Sequence, residues 1–351
     1  IASTINNIAS IYGLRSRFER SIRLLNLSLA LKKELGNAGE IARTLNNIGY
    51  VYAISGRTAR SVESLRESLE INQRIGSRKE QLFNLENLSE ASLQLGRVKE
   101  SIQYLEEGLA LAADLQDKPH LAVFHLTLTG AYLRLGRAND STRAIRTVRS
   151  YLDQFNYPQA EPFYLLHTAR IRMYIGDHDT ALAQAMAAVE ASTKLDDRPT
   201  CLQALLVTTR LSDDPDLFAQ AESMSDLLSL KREKLLLAFN RVERFLERED
   251  VVSAQRALDS AVDGLPGLEE DIELPRLHAI AAETCIESGN SHDALALLGK
   301  GLASATRMGL VPEITTILAL RARIESANRA YEQCYATSRQ ALQMIRQLAE
   351  N

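Results

Sequence analysis

Amide side chains recur in this sequence at intervals of 40 residues. The dipeptides Asn6-Asn7, Asn46-Asn47 and Glu86-Asn87 each stand directly before a branched apolar residue and a small residue. An asparagine side chain offers two hydrogen-bond donors and an acceptor on a short arm, so a row of them can bind the backbone of an extended peptide whatever the sequence of that peptide. The same amides could instead bridge neighbouring helices or face water. The residue types leave both roles open.

Other polar residues stand at neighbouring positions and would border such a row. They would give it selectivity, and they are Ser10, Arg43, Tyr50, Glu90, Gln94 and Arg134. Further along the chain, Glu243 and Glu247 form one acidic pair, and Glu283 and Glu287 form another. A spacing of four residues places each pair on one helix face, where it could bind a basic segment or line a solvated surface.

Signatures of catalysis are missing from the sequence. It contains none of the short motifs that mark phosphate-binding loops, serine hydrolases or zinc peptidases. The six histidines are dispersed, and none stands at metal-ligand spacing from a cysteine or carboxylate. His125 and His167 fall within helical patterns, where a structural role is expected. We therefore predict a protein without catalytic residues, metal or cofactor.

Composition narrows the range of partners. The net charge is -4, but residues 1–80 carry 13 Lys and Arg against 7 Asp and Glu, and residues 241–351 carry 12 against 17. A partner could be oriented along the chain by this gradient. The sequence has no basic stripe for nucleic acid and no apolar run near the roughly 20 residues of a membrane span. Cys201, Cys285 and Cys334 form no C-x-x-C motif and fit a reducing compartment, so we predict a cytoplasmic location.

Small residues repeat in five consecutive blocks of 40 residues. Three columns share this spacing, namely Ala9, Gly49, Ser89, Thr129 and Ala169; Ser21, Ser61, Ser101, Ser141 and Ala181; and Ser16, Gly56, Gly96, Gly136 and Gly176. Apolar residues recur at helical spacing on either side of the third column, so each block predicts two helices joined by a turn. Such self-similarity predicts a stacked array, in which no unit buries its apolar face alone. The small residues mark where the two helices of a block cross closely.

The second block resembles the tetratricopeptide repeat. It has the motif Leu45-x-x-Ile48-Gly49-x-x-Tyr52-x-x-x-Gly56, followed by Ser61 and Ser68. The period exceeds the usual 34 residues, which is similar to the long-helix class of kinesin light chains. The resemblance implies an all-α, right-handed superhelical solenoid of antiparallel helix hairpins. It also implies that the first helix of each hairpin, with the Asn rows, lines a concave groove.

The regular pattern does not extend over the whole chain. Residues 1–200 are predicted to hold five regular 40-residue repeats, and residues 201–351 about four degenerate helix pairs that continue the same solenoid. These later pairs resemble the sensor regions of large bacterial signalling ATPases, kinases and LuxR-type regulators. That resemblance predicts a regulatory or scaffold domain belonging to a larger signalling protein.

These observations favour a non-enzymatic protein-interaction module that binds a peptide or a helix in its groove. One alternative is a peptide-pheromone receptor similar to the Rap and PlcR families, which carry an N-terminal helical bundle or a helix-turn-helix that this sequence does not show. Another is a self-assembly scaffold. Apolar residues at the two ends of the array would then meet in a homodimer, and they are Ile5, Ile8, Leu342, Ile345 and Leu348.

Overall fold

The computed structural model describes residues 1–15, 17–155, 158–228, 230–264 and 270–350, and the predicted turn residue Ser16 lies outside them. Over these residues the secondary structure is helical, without a strand, which confirms the predicted all-α class. The helices of the first half are α1 (Ala2–Leu14), α2 (Phe18–Leu35), α3 (Ala38–Ile54), α4 (Thr58–Arg74), α5 (Arg78–Gln94), α6 (Val98–Asp114), α7 (Lys118–Arg134), α8 (Ala138–Phe155) and α9 (Glu161–Tyr174). Those of the second half are α10 (His178–Lys194), α11 (Arg198–Leu211), α12 (Pro215–Leu227), α13 (Lys231–Glu247), α14 (Val251–Ala261), α15 (Leu274–Glu287), α16 (Ser291–Met308), α17 (Val311–Ala327) and α18 (Tyr331–Glu350).

The chain forms two compact units. Unit 1 comprises Ile1–Leu128 with Leu228–Leu230, and unit 2 comprises Thr129–Leu227 with Lys231–Asn351. In each unit, an odd-numbered helix packs against the even-numbered helix that follows it, and the odd-numbered helices of successive pairs also contact one another. We call the odd-numbered helices the first helices. Side chains that project from neighbouring first helices therefore lie close together.

The glycines of the third column end the first helices, as the sequence predicts. Gly56 and Gly176 have φ angles of +77° and +82°, a left-handed conformation that lets the chain reverse directly after α3 and α9. At the breaks between blocks, asparagine and aspartate begin the next helix. The side chains of Asn37 and Asp197, for example, accept hydrogen bonds from main-chain N–H groups of α3 and α11. Turn and cap chemistry together set the helix lengths.

Buried serines fasten the two helices of a pair. Ser21, Ser101 and Ser141 each donate from Oγ to the main-chain carbonyl of the small residue twelve positions earlier, at 2.7, 2.7 and 2.9 Å. In the last pair, the Sγ of Cys334 lies 3.4 Å from the carbonyl oxygen of Ala322, at the same separation along the chain. Three of the five positions in the second column are thus hydrogen-bonded to the first column across the helix crossing, whereas the buried Oγ of Ser61 has no hydrogen-bond partner and Ala181 has no hydroxyl group.

Gly49 lies at one of these crossings without room for a side chain. A Cβ atom there would stand 2.5 Å from Cγ of Leu65 and 3.2 Å from the carbonyl oxygen of Ser61. Leu65 is fully buried, so it cannot move aside into solvent. The small residue is required by the distance between α3 and α4.

We expect Gly49→Leu to lower the free energy of unfolding by about 1–3 kcal/mol, because the added side chain overpacks this crossing. Urea unfolding followed by circular dichroism measures the change. Gly299→Ala is the matched control, since nothing lies within 4 Å of an added Cβ at that position in α16. Its higher helix propensity should raise stability by about 0.5–1 kcal/mol. A Gly49→Leu protein as stable as wild type would contradict the close crossing.

Candidate functional site

The predicted Asn rows form hydrogen bonds between neighbouring repeats of unit 1. The Nδ2 of Asn47 on α3 donates to Oδ1 of Asn6 on α1 at 3.3 Å. One repeat later, the Nδ2 of Asn87 on α5 donates to Oδ1 of Asn46 on α3 at 3.1 Å. The amides therefore bridge successive first helices, which is the structural role that the sequence left open beside peptide binding.

We call the hydrogen bonds from Asn47 to Asn6 and from Asn87 to Asn46 the amide ladder. Asn84, which the sequence analysis did not single out, strengthens it. Its Nδ2 donates to Oδ1 of Asn46 and to Oγ of Ser68, both at 2.9 Å, and its own Oδ1 accepts from Nδ2 of Asn72 at 2.7 Å. Asn72 and Asn84 are buried. Asn72 and Asn84 are twelve residues apart along the chain, as are the two partners of each serine hydrogen bond at the helix crossings. This spacing could have identified Asn84 from the sequence. Asn46 is thus also held by buried polar contacts between α4 and α5, which belong to successive helix pairs.

Other predicted groove residues of unit 1 stay at the surface. Asn7, Arg43, Tyr50 and Glu90 are exposed on α1, α3 and α5. Arg43 forms ion pairs with Glu40 at 2.7 Å and Glu80 at 3.4 Å, so it too bridges adjacent first helices. These side chains project beside the ladder and can meet a ligand without breaking it.

Glu86 differs from the asparagines of its row because it faces acidic and imidazole groups. Its carboxylate lies 3.7 Å from Nε2 of His120, whose Nδ1 is 3.0 Å from Asp117. The ring of Phe83 meets His120 edge-on, with 4.8 Å between the ring centroids. Burial raises the pKa of Glu86 to about 7, with His120 opposing the rise and Glu90 adding to it. The side chain keeps 34% of its exposure, so water still reaches it.

We expect Glu86→Gln to raise the melting temperature, by much more at pH 8 than at pH 5. A carboxyl group whose pKa is higher in the folded state than in the unfolded state disfavours folding once pH rises above the unfolded value, near 4.5. Glutamine ionises in neither state, so it removes that cost, which grows as pH rises from the unfolded to the folded pKa. Differential scanning fluorimetry across pH 5–8 measures the difference. An offset between variant and wild type that is the same at every pH would contradict the raised pKa.

Arg134 belongs to a group of charged side chains within unit 2. We call this group the inner charge chain, and in order it contains Glu313, Arg134, Glu273, Arg276, Glu243 and Arg210. Arg134 at the end of α7 pairs with Glu273, and its Nη1 is 3.7 Å from Glu313 on α17. Residues on first helices far apart in the sequence thus meet through one guanidinium group.

The rest of the inner charge chain continues through α15, α13 and α11. Arg276 lies 3.7 Å from Glu273 and 2.6 Å from Glu243. Glu243 is also 3.6 Å from Nε of Arg210. Each interior carboxylate therefore lies between two guanidinium groups. Of the predicted acidic pairs, Glu243 is thus already neutralised, and Glu287 pairs with Arg323 at the surface.

Burial and charge act against each other along the inner charge chain. Burial disfavours the ionised form of Glu273, but Arg134 and Arg276 outweigh burial and hold the pKa of Glu273 below its usual value. The same balance, with Arg276 and Arg210, lowers the pKa of Glu243. At Glu313 burial prevails over Arg134, and the pKa of Glu313 is raised. In the inner charge chain, the carboxylates in the middle are therefore well neutralised by arginines, and Glu313 at one end is less so.

A further arginine, Arg170 on α9, is influenced by the charges of Arg134 and Glu273 in the inner charge chain. Its guanidinium donates to Oε1 of Gln203 on α11 at 3.1 Å. Burial, followed by the charge of Arg134, lowers the pKa of Arg170 to about 10, and burial with Arg276 lowers the pKa of Arg210 to about 10. Sequence reasoning overlooked both arginines, although they stand one 40-residue period apart on first helices.

Several buried polar atoms of this region have no hydrogen-bond partner. They are Nδ1 of His167, Nε of Arg210, Nε of Arg276 and Oε2 of Glu313. Burial, followed by the charge of Arg170, lowers the pKa of His167 to about 3, so its imidazole is neutral at physiological pH. Unpaired buried polar atoms are costly, and a bound polar ligand is one way to satisfy them.

The described ranges contain neither a cluster of metal-ligating side chains nor a helix that could span a membrane. No group of three or more His, Cys, Asp or Glu side chains in that part of the chain could hold a metal ion. Among the same residues, no helix combines the length and the apolar character that a membrane span requires. The inner charge chain and the surface beside the Asn ladder remain the candidate sites.

The chain carries tetratricopeptide repeats. Sequence models of this repeat match residues 1–74 and 84–115, where the amide ladder and the serine-bonded crossings lie. The resemblance inferred from the motif of the second block is thereby confirmed. Comparison with curated protein sequences gives no match.

Solved structures share the fold at low sequence identity. A Rap protein crystallised in complex with competence and sporulation factor aligns with a TM-score of 0.72 at 13% identity, over 99% of each chain. The Rap conjugation gene regulator of plasmid pLS20, in complex with the Phr* peptide, aligns at 0.56 and 12% identity, over 86% of this chain and 72% of that one. A STAND protein with a tetratricopeptide repeat sensor, from Pyrococcus horikoshii, aligns at 0.52 and 12% identity over 95% of this chain and 53% of that one. These likenesses show a shared helical-repeat fold.

Proposed function

We propose that this chain is a peptide-binding regulatory module whose ligand lies along the first helices. The observation that carries the proposal is the set of buried, partnerless polar atoms on the first helices of unit 2, because a peptide backbone supplies both the donors and the acceptors that those atoms lack. Two of the structures with the same fold are complexes with competence and sporulation factor and with the Phr* peptide, which supports a ligand of this class.

Unit 1 offers a second location for the same function. The exposed residues Asn7, Arg43, Tyr50 and Glu90 border the amide ladder and present both charge and aromatic surface. The ladder itself is already hydrogen-bonded, so a ligand there would contact these bordering side chains rather than replace the amide bonds. We propose unit 2 as the principal site, because its unsatisfied atoms are buried.

An affinity selection tests the proposal. Random linear peptides of 12 residues, displayed with their encoding nucleic acid, are selected on the immobilised protein and on empty matrix in parallel. The six most enriched peptides are then synthesised with a fluorophore and titrated with protein, and fluorescence anisotropy reports binding. We expect saturable binding at micromolar concentration or below. No enrichment over the empty matrix would overturn the peptide-binding proposal.

Two variants distinguish a peptide site in unit 2 from one in unit 1. Arg170→Gln alters unit 2, and the double variant Arg43→Gln/Tyr50→Ser alters the surface of unit 1. Arg172→Gln is the matched control for the first, because Arg172 lies on the same helix and pairs with Asp177 at the surface. We expect Arg170→Gln to weaken binding and the other variants to leave it unchanged. Loss of binding only in the unit 1 variant would place the site beside the amide ladder.

The alignment with the Rap structure bears on the Rap-like receptor that the sequence raises as an alternative. The Rap structure aligned over 99% of its own length. The lack of a separate N-terminal bundle in the sequence pattern therefore does not distinguish a Rap-like receptor from a sensor domain of a larger signalling protein. Identifying the segments that flank this chain in its gene would distinguish them.

Self-association remains a separate proposal. Ile8 in unit 1 and Leu342 and Ile345 in unit 2 are 44%, 49% and 47% exposed, whereas Ile5 is half-buried and the side chain of Leu348 lies outside the described residues. Exposed apolar residues of this kind favour contact with a second copy. Light scattering that shows a monomer at high concentration would contradict this proposal.

A further inference from the structure

Helix α10 exposes apolar side chains where the preceding even-numbered helices expose polar ones. We call the even-numbered helices the second helices. Two register positions, each repeated every 40 residues, show the difference. The first holds Arg23, Glu63, Gln103, Arg143 and Ala183, and the second holds Asn26, Arg66, Glu106, Arg146 and Met186. All ten side chains are exposed, so burial within the fold does not account for the apolar residues of α10.

The apolar residues of α10 line a groove beside α12. The groove has a volume of about 470 Å³, and Ala183, Met186 and Ala187 of α10 face Leu217 of α12 across it. Met186 is 50% exposed. An exposed apolar surface at positions that are otherwise polar is typical of a site for a protein partner.

The shape of the groove fits a helix. Both of its walls are helices, whose main-chain groups are hydrogen-bonded within each helix, so the groove offers no sheet edge to which an extended strand could add. Ala183 and Ala187 are one turn apart on α10, and their small side chains allow a partner helix to approach α10 closely. Met186 is flexible and can adapt to the side chains of that partner.

Acidic side chains stand at the ends of the groove. On α10, Asp179 is one turn before Ala183 and Glu190 is one turn after Met186, and on α12 Asp216 directly precedes the groove residue Leu217. All three carboxylates are exposed. Together α10 and α12 carry five Asp and Glu residues against one Lys. The groove therefore combines an apolar centre with negatively charged ends.

The single lysine of these two helices does not neutralise the groove. Lys194 pairs with Glu190 at 2.7 Å, but the two side chains are 72% and 70% exposed. An ion pair so open to water contributes little, and its carboxylate can exchange this lysine for a cation of a partner. The same negative charge repels the anionic lipids of a membrane surface, so a membrane is not the expected partner.

We propose that the groove between α10 and α12 binds an amphipathic helix of a partner protein, which places an apolar stripe in the groove and Lys or Arg residues at both ends of that stripe. The apolar centre and the small alanines select the helix, and the acidic ends select its basic residues. Because α10 and α12 are second helices, this site is separate from the peptide site proposed on the first helices and does not rest on it.

A differential selection tests the proposal. In a library of displayed 18-residue peptides, one helical face consists of Ala and Gln, which favour the helix, and the other face is random. The library is first passed over immobilised Ala183→Arg/Met186→Arg protein, which removes ligands of every other surface, and is then selected on wild type. The two substitutions introduce the residues that α8 exposes at the same register, so we expect the variant to fold, and circular dichroism checks this.

We expect the enriched peptides to share apolar residues spaced three and four apart, with Lys or Arg at the ends of that stripe. Fluorescence anisotropy measures their affinity. It should fall by about 10-fold or more on Ala183→Arg/Met186→Arg, because two charges enter the apolar groove. Asp179→Asn/Asp216→Asn should weaken binding by a smaller factor and make it less dependent on salt.

A matched control and a measurement on wild type keep the test independent of variant folding. Gln103→Arg/Ala110→Arg adds the same two charges at exposed positions of α6 and should bind the peptides as wild type does. In wild type labelled with ¹³C-methyl methionine, the resonance of Met186 is identified by its absence from the spectrum of Met186→Leu. This resonance should shift when an enriched peptide is added.

Several results would overturn the inference. They are the absence of enriched peptides, enriched peptides with acidic ends or without the apolar stripe, equal affinity for Ala183→Arg/Met186→Arg and wild type, and an unchanged Met186 resonance. Light scattering examines a second copy as the occupant. A wild-type dimer that becomes a monomer in Ala183→Arg/Met186→Arg would assign the groove to self-association and contradict the proposed partner.

Failure of this inference is distinguishable from failure of the proposed function. Arg170→Gln, which is expected to weaken peptide binding along the first helices, should bind the selected helices as wild type does. Conversely, Ala183→Arg/Met186→Arg should retain full affinity for the linear peptides of the earlier selection. Each proposal can therefore be refuted while the other stands.

Discussion

Replacing Glu273 with glutamine is expected to lower the free energy of unfolding by about 3–5 kcal/mol, because it removes the buried counter-charge that Arg134 and Arg276 share. Glu273 is 8% exposed and pairs with both Arg134 and Arg276. Glutamine keeps the shape but not the charge, so the effect reports electrostatics more than packing. Urea unfolding at pH 7 measures it, with the exposed Glu190→Gln as a control that should match wild type.

The stability difference between wild type and Glu273→Gln should also depend on pH. The pKa of Glu273 is lowered in the folded protein, so its contribution to stability is present above the unfolded value near 4.5 and is lost as pH falls through the folded value. The gap between wild type and Glu273→Gln should therefore be largest at neutral pH and shrink in strong acid. A gap that grows on acidification would contradict the assignment of Glu273 as an ionised partner.

The second large effect is expected at Phe124, whose ring fills the space left by Gly108. Phe124 is fully buried on α7, and a Cβ at Gly108 on α6 would stand 2.5 Å from its Cζ. Phe124→Ala should lower the free energy of unfolding by about 3–5 kcal/mol through loss of buried surface and the cavity left behind. Urea unfolding measures the loss. Phe83→Ala is the control and should cost far less, since Phe83 is 47% exposed.

A double-mutant cycle shows whether the ring and the glycine depend on each other. In wild type, Gly108→Ala should destabilise, because the added methyl group meets the ring. In the Phe124→Ala background the same change should stabilise, since it fills part of the cavity and favours the helix. If Gly108→Ala has the same effect in both backgrounds, the two positions do not share this contact.

The architecture could be predicted from the sequence because it is repeated. Columns of small residues such as Ala9 and Ser21 mark helix crossings, and the glycines of the third column mark turns, so each block confirms the interpretation of the next. Gly108 stands 40 residues after Ser68, so the repeat predicts a small residue at this position. The ring of Phe124 that meets it could not be predicted in this way, because the positions 40 and 80 residues earlier are Asn84 and Thr44.

The candidate site was only partly predictable for a related reason. The sequence predicts two rows of polar side chains, one through Asn46 and one through Asn47, but whether an amide faces a ligand or a neighbouring amide depends on side-chain torsion angles that the sequence pattern does not contain. The sequence also predicts Arg134 at the border of the groove, but its ion pairs with Glu273 and Glu313 could not be predicted. Partners 139 and 179 residues away are brought near by the path of the chain, which local spacing does not reveal.

The amide ladder of unit 1 also bears on how such an array can change in length during evolution. Asn47 donates to Asn6 in the same way that Asn87 donates to Asn46, so the junctions between α1 and α3 and between α3 and α5 present the same donor and the same acceptor. If recombination deleted the hairpin of α3 and α4, Asn87 would meet Asn6, and if it duplicated that hairpin, Asn47 of the second copy would meet Asn46 of the first. An amide donor stands beside an amide acceptor in both cases, whereas an insertion within these helices that is not a whole hairpin in length would move donor and acceptor apart.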